Sequence, residues 1–315
     1  MKAIGVTEYG GPDALEVVEL PEPHAGPGEV RLRVHAAAVN PTDMFVRDGS
    51  RAQSQRKDPP PYVPGMDAAG VVDEIGDEIG EGGGELAVGD RAMAIVVPQG
   101  SHGAYSEYVV VPAGSVVRVP EGVDDVSAAT LPMNGLTARL TLDTLALPRG
   151  STLAVTGAAG AFGGYVIQLA KVDGLRVVAD ASEADEELIA GLGADVIVRR
   201  GGGVDENIRA EVPEGVDGLA DGAAQDAEVL GAVRDGGRIA TVRGYTGPEE
   251  WGVSWHPVFV VEYAENHDKL DVLRAQVESG AVSLRVAATH SAEQAAEAHR
   301  TLEAGGVRGR LVLTF

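Results

Sequence analysis

The sequence predicts an α/β protein in which a β-rich domain comes first and a doubly wound parallel sheet follows. Three observations predict this. Through the first third, short alternating strands are separated by glycine and proline turns. From about residue 125 the apolar period becomes helical, and strands then alternate with helices. One strand runs straight into a glycine cluster and a helix, Val155-Thr-Gly-Ala-Ala-Gly-Ala-Phe-Gly-Gly-Tyr-Val-Ile-Gln-Leu-Ala-Lys171.

In the first third, Glu16–Leu20 and Val30–Val34 alternate. Val71-Val72, Arg91–Val97 and Glu107–Val111 are further short strands. Ala128–Leu147 reads as helix. Strands recur at Leu153–Thr156, Arg176–Ala179, Asp195–Val198, Val216–Leu219 and Gly237–Val242, with helices at Glu183–Leu192 and Asp226–Val233. The end reads as two amphipathic helices, His267–Ser279 and Ala292–Ala304, and a strand, Leu311–Phe315.

The glycine turn carries the first functional reading. A strand, a tight turn and a helix start leave backbone N–H groups and the positive end of a helix dipole aimed at one spot. A pyrophosphate fits there. The spacing is not G-x-G-x-x-G: the glycines are Gly157, Gly160 and the pair Gly163-Gly164. A turn that binds nothing is the bland alternative. Asp180 lies 20 residues after Gly160, at the end of a second apolar strand, the usual place for a ribose contact.

Composition removes several classes. The net charge is −23, which repels nucleic acid and anionic membranes. There is no cysteine, so disulfides, thiol catalysis and thiolate metal sites are excluded. No apolar run approaches a membrane span, and Met1-Lys-Ala-Ile-Gly-Val lacks a secretory pattern, so a cytoplasmic location is expected. The expected assembly is a homodimer.

Several short motifs then fall in one order: Val39-Asn-Pro-Thr-Asp43, Val63-Pro-Gly-Met-Asp-Ala-Ala-Gly70, Val88-Gly-Asp-Arg91 and Gly103-Ala-Tyr-Ser-Glu-Tyr108. Leu131-Pro-Met-Asn-Gly-Leu-Thr-Ala138, the glycine turn, Asp235-Gly-Gly-Arg238 and Val307-Arg-Gly-Arg-Leu-Val-Leu313 complete the set. With these the chain resembles the medium-chain dehydrogenase/reductases, in particular their zinc-free, zeta-crystallin-like quinone oxidoreductases. The resemblance implies a GroES-like twisted β-barrel catalytic domain (1–121) interrupted by a Rossmann domain (122–262), with residues 263–315 returning to the first. Zinc-dependent relatives hold metal with two cysteines and the histidine of a Gly-His-Glu motif. Here that motif reads Gly65-Met66-Asp67 and the seven histidines are scattered, so no metal site is expected.

The resemblance also implies site residues. Asn40 and Asp43 match a stretch near the nicotinamide; the bland readings are a turn at Asn40-Pro41 and a helix cap at Asp43. Thr137 matches a threonine facing the nicotinamide. Phe45 stands where several relatives have tyrosine, so Tyr62 is the remaining candidate hydroxyl. Cofactor contacts are implied at Gly157, Ala159, Gly160, Ala161, Phe162 and Gly163, at Val242, Gly244 and Phe259, and at Arg310, expected to pair with the pyrophosphate. Ser182 and Arg200 suit the 2′-phosphate of NADPH, whereas the Asp180 carboxylate favours the free ribose of NADH.

The expected activity is NADPH-dependent reduction, with NADH as the second option, of a quinone or α,β-unsaturated carbonyl. An enoyl-thioester reductase is the alternative enzyme; it needs a cationic surface for a carrier phosphate, and Arg47, Arg51, Arg56 and Lys57 are the obvious cluster. A dinucleotide-binding regulatory or structural protein is the non-enzymatic alternative.

Overall fold

The structure is a computed structural model and describes residues 1–55, 58–78 and 86–315. The chain opens with β1 (Lys2–Gly5), β2 (Glu16–Glu19), β3 (Glu29–Val39), α1 (Pro41–Arg47), α2 (Ala52–Gln55), β4 (Asp67–Ile75), β5 (Arg91–Ile95), β6 (Tyr108–Pro112), β7 (Val116–Arg118) and α3 (Asp125–Ala128). The middle comprises α4 (Pro132–Leu145), β8 (Thr152–Thr156), α5 (Ala161–Val172), β9 (Arg176–Ala181), α6 (Glu186–Gly191), β10 (Val196–Arg199), α7 (Val204–Glu211), β11 (Val216–Asp221), β12 (Val233–Thr241) and β13 (Ser254–Pro257). The chain ends with α8 (His267–Glu278), β14 (Val286–Ser291), α9 (Ala295–Ala304) and β15 (Arg310–Thr314).

These elements form two compact units. The first comprises residues 1–133, 261–280 and 284–315; the second comprises 134–260 and 281–283. The division falls at residue 133 rather than at 121, because α3 packs on β3, β4 and β5 of the first unit.

The first unit is built on a seven-stranded sheet in the order β14-β15-β3-β4-β5-β7, with β6 also pairing β3. Every pairing in it is antiparallel except β14 with β15. The long β3 serves two neighbours on one edge: its first half pairs with β6 and its last four residues with β15. The alternation of Val30, Leu32 and Val34 puts these side chains into the core. Fully burying a side chain such as Leu32 contributes ~1.5–3 kcal/mol. After His35 the strand is small and apolar, and Ala36 to Val39 are all buried.

The second unit is a six-stranded, wholly parallel sheet in the order β10-β9-β8-β11-β12-β13. The order reverses between β8 and β11, which places a crevice at the carboxyl end of β8. The strands are near-continuous apolar runs because helices cover both faces. Val166, Leu169 and Ala170 of α5 are fully buried, as their spacing predicts.

Some elements differ from expectation. Residues Asp226–Ala232 form a 3-10 helix rather than an α-helix. Asp226 has a left-handed φ of 54°, and its N–H goes to the Asp221 carboxylate, so no α-helical first turn forms. The strands β13 and β14 carry no alternating pattern; β14 is Val-Ala-Ala-Thr-His-Ser and mostly exposed. The helix α7 has only Val204 and Ile208 to mark its buried side.

Candidate active site: a nucleotide turn and a buried acidic cluster

In the second unit the glycine turn lies between the end of β8 and the start of α5. Gly157 has φ 65°, a conformation that a side chain would strain, and Gly160 is the N-cap of α5. A Cβ on Gly163 would sit 2.5 Å from the carbonyl oxygen of Gly157. The close approach of helix to turn therefore requires glycine there. The first-turn N–H groups of α5, on Ala161, Phe162 and Gly163, have no intrahelical acceptor. They form a donor set suited to a pyrophosphate, with the helix dipole behind it. Ala159 and Ala161 are nearly buried beside them.

Five side chains belong to the strand ends at and beside this turn. Asp180 is 6% exposed, and its Oδ1 accepts from the N–H of Ala158 at 2.9 Å. It also accepts from the Gly157 N–H, and burial raises its pKa against the pull of these bonds and of Arg200. Thr156 Oγ1 donates to Asp221 Oδ1 at 2.6 Å, which ties the ends of β8 and β11. Arg200 is exposed, with its N–H on the carbonyl of Ala181 at 3.0 Å. Ser182 donates its hydroxyl to Asp185 Oδ2 at 2.5 Å. Asp180 and Ser182 thus lie at the end of β9, and Arg200 follows the paired strand β10.

Val242 and Gly244 follow β12. A Cβ on Gly244 would be 3.3 Å from the ring of Phe259, so these two predicted residues also meet. The ring itself is 51% exposed. Thr137 lies in α4, nearly buried, and its carbonyl accepts from Thr141 Oγ1 at 2.8 Å.

The first unit holds a buried acidic cluster that sequence reasoning did not assemble. Asn40 is the N-cap of α1 and is fully buried. Its Nδ2 donates to Asp67 Oδ2 at 2.7 Å, and its backbone N–H donates to Asp43 Oδ2 at 2.8 Å, half of a capping box. The other oxygen of Asp67 accepts from Met133 N–H at 2.6 Å, in the first turn of α4. Asp67 thereby joins Asn40 to a helix start. Asp43 does more than cap. It also accepts from Gly65 N–H at 3.1 Å and from the Tyr105 hydroxyl at 3.0 Å.

Burial dominates the titration of both acids. Asp67 is pushed up to about 7, chiefly by desolvation and slightly by Asp43, against its hydrogen bonds and the charge of Arg310. Asp43 is raised to about 6 by the same desolvation, opposed by its three donors and Arg310. Tyr105 is pushed well above 10 by burial and the two carboxylates.

A chain of hydrogen bonds runs on from this cluster. Arg47 donates to His299 Nδ1 at 3.2 Å, since a guanidinium can only donate. The ring proton of neutral His299 is then on Nε2, 3.2 Å from the Tyr105 hydroxyl. Burial and the arginine hold His299 down to about 3, so it stays neutral. Arg47 is anchored by Glu303 at 2.6 Å and by the carbonyl of Gly10.

This geometry corrects one expectation, that of Arg47, and gives the surroundings of two other expected residues. Arg310, expected at the pyrophosphate, is buried in β15, where its charge acts on Asp43, Asp67 and Tyr105. Arg47, expected in a surface cluster, is 4% exposed and committed to Glu303 and His299; Arg56 and Lys57 lie outside the described residues. Tyr62, expected as an acid, donates its hydroxyl to the carbonyl of Asp58 at 3.1 Å and stacks on Tyr9 at 5.1 Å. The two hydroxyls also interact, which with burial pushes Tyr9 up to about 12.

The position that holds metal in the zinc-dependent relatives carries a different donor set. Met66 occupies the ligand position, and its sulfur accepts from the Thr42 hydroxyl at 3.3 Å. Among the described residues, no three His, Asp or Glu side chains are placed to share an ion. The described residues do not fit a catalytic zinc.

Residues 26–121 match the alcohol dehydrogenase GroES-like domain, and residues 192–313 match the zinc-binding dehydrogenase family. An NADPH-dependent alkenal/one oxidoreductase of Arabidopsis thaliana is 31% identical over 90% of this chain and 70% of its own. The 2-methylene-furan-3-one reductase of Solanum lycopersicum is 30% identical, over 99% of this chain and 79% of its own. This chain is a medium-chain dehydrogenase/reductase. Its zeta-crystallin-like branch is represented by the quinone oxidoreductase of Mus musculus, 29% identical over 99% of this chain and 97% of its own. Among solved structures, an NAD-dependent alcohol dehydrogenase superposes with a TM-score of 0.87 at 31% identity, covering all of both chains. A mycobacterial member of the same fold, solved in complex with NADPH, gives 0.86 at 26%, again covering both chains. The medium-chain dehydrogenase/reductase thus has the GroES-like and Rossmann parts that its sequence predicts, and it belongs to an oxidoreductase family.

Proposed function

We propose that this protein is a metal-independent, NADPH-dependent reductase of quinones or α,β-unsaturated carbonyls. The observation that carries the reading is the pairing of an intact nucleotide turn with a metal position that holds Met66 and Asp67. The turn offers the first-turn donors of α5 to a pyrophosphate. Where zinc-dependent relatives place a ligand, this chain has a thioether hydrogen-bonded to Thr42, and Asp67 is bound to Asn40 and Met133 N–H. A simple ketone needs a Lewis acid or a positioned proton donor to polarise it; a quinone or enone is activated already. The names of the quinone and alkenal/one relatives support the same substrate class.

A reduced nicotinamide cofactor, when bound, supplies the hydride. The chain supplies orientation. Gly157, Gly160 and Gly163 let the turn approach a pyrophosphate. Arg200 offers a cation to a 2′-phosphate, which is our reason for preferring NADPH to NADH. Asn40 is our candidate polar group at the acceptor end, its amide fixed by Asp67, and Thr137 is the second. Tyr62 is left out of the chemistry because its hydroxyl is already donated. The enoyl-thioester alternative loses Arg47 as a carrier contact, because that side chain is buried against Glu303.

A turnover screen tests the reading. Purified protein is given NADPH or NADH with quinones, enones and enoyl thioesters. We expect turnover with quinones or enones, fastest with NADPH. Activity confined to alcohols, or to enoyl thioesters, overturns it.

A further inference from the structure

Asp180 is the residue at which sequence position and structure part company. Its place after the second strand suggests a contact with the adenosine ribose. In the structure, β9 runs beside β8, with Ala179 opposite Val155, and this sets Asp180 level with the entry to the glycine turn. Its side chain is 6% exposed and reaches the turn itself. Oδ1 accepts from Ala158 N–H at 2.9 Å, and the carboxylate also takes the N–H of Gly157. These two donors face inward, under the turn. Without an acceptor they would be buried and unsatisfied at the point where Gly157 adopts its positive φ. Thr156 and Asp221 brace the neighbouring strand end in the same way.

We infer that Asp180 is a positioning residue that holds the glycine turn in its binding shape, and that it does not discriminate NADH from NADPH. The inference rests on the nucleotide-binding reading above. Its carboxylate satisfies the inward N–H groups of Gly157 and Ala158 and leaves those of Ala161 and Phe162 for the cofactor phosphates. Both cofactors share those phosphates, so both depend on Asp180 equally. A ribose ligand would behave otherwise: it would attract the free 2′-hydroxyl of NADH and repel the 2′-phosphate of NADPH.

The test uses the full chain as wild type, Asp180→Ala and Asp180→Asn. Asparagine keeps the shape and one acceptor, and it replaces alanine in every comparison should the alanine variant not fold. Dissociation constants for NADH and NADPH are measured by calorimetry, and hydrogen exchange of the turn peptide (residues 155–162) is measured without cofactor. We expect both cofactors to weaken by the same factor, on the order of tenfold for alanine, with their ratio unchanged within about twofold. We also expect faster exchange in the cofactor-free turn. A variant that gains NADPH relative to NADH by fivefold or more makes Asp180 a ribose ligand and overturns the inference. Unchanged exchange overturns it too, whatever the binding shows. A wild type that binds neither dinucleotide removes the nucleotide reading itself, and with it any role of Asp180 toward a cofactor.

Discussion

Replacing Asp67 with asparagine removes a buried charge and almost nothing of its shape. The wild-type carboxylate accepts at both oxygens, from Met133 N–H at 2.6 Å and from Asn40 Nδ2 at 2.7 Å. Asparagine can accept at one only. The donor left over is buried and costs about 1–3 kcal/mol. Against this stands the charge itself. Folding raises the pKa of Asp67 from 3.8 to about 7, chiefly by desolvation. The native state therefore keeps a proton that the unfolded chain has already lost between those two values. The sign follows: stability from this group falls as pH rises through that window and levels off above about 7. One pKa unit is worth 1.36 kcal/mol, so between pH 5.5 and 8 the wild type should lose about 2 kcal/mol relative to Asp67→Asn. Lower pH is avoided because the chain's isoelectric point is near 4.6. The assay is urea denaturation of both proteins at several pH values by far-UV circular dichroism. Tryptophan emission is unsuitable, since Trp251 and Trp255 both lie in the second unit. A stability difference that stays constant from pH 5.5 to 8 would refute the reasoning, because it would mean that Asp67 is ionised throughout.

Three further outcomes are expected. Gly163→Ala should lower both thermal stability and cofactor affinity, because its Cβ would meet the Gly157 carbonyl at 2.5 Å; Gly160→Val, whose Cβ meets that carbonyl at 3.2 Å, should lower the melting temperature less and lose the cofactor. Calorimetric scans with cofactor titrations read both effects, and full affinity in Gly160→Val would count against the turn as a phosphate site. Arg200→Ala should weaken NADPH by roughly ten- to a hundredfold and leave NADH nearly unchanged, as loss of one charge-assisted bond implies; equal effects on both cofactors in a binding titration would remove the basis for preferring NADPH. Elemental analysis should find no stoichiometric zinc, and a chelator should leave turnover intact; one zinc per chain needed for activity would contradict the metal-free reading.

The layout of both units was legible because it is written in period and punctuation. The strand–glycine–helix segment, the apolar strands of the parallel sheet and the alternation of Val30, Leu32 and Val34 all lie in local sequence. The strands β13 and β14 were not legible, because short polar or alanine-rich strands owe their existence to a neighbouring edge. The nucleotide turn was read from an apolar strand that runs into a glycine cluster and a helix start. The acidic cluster was not read, because Asn40, Asp67, Tyr105 and His299 are far apart in sequence and only the sheet brings them together. Signals for it did exist. Asp67 interrupts an apolar run that continues to Val72, and a carboxylate in such a run must be paired. His299 falls on the stripe Ala295, Ala298, Leu302, the buried side of an amphipathic helix. Arg47 was misplaced because a cation on an acidic chain looks like a ligand contact, and only the fold shows that Glu303 and His299 already engage it.

The central claim, hydride delivery to an activated acceptor without metal, is tested most directly by isotope transfer. The chelator-treated protein is incubated with cofactor carrying deuterium at nicotinamide C4 and with an α,β-unsaturated ketone, and the product is analysed by mass spectrometry. The account predicts a saturated ketone with one deuterium on the β-carbon, formed at the rate of the untreated protein. A product without deuterium, or reduction that stops on chelation and returns with zinc, would contradict it.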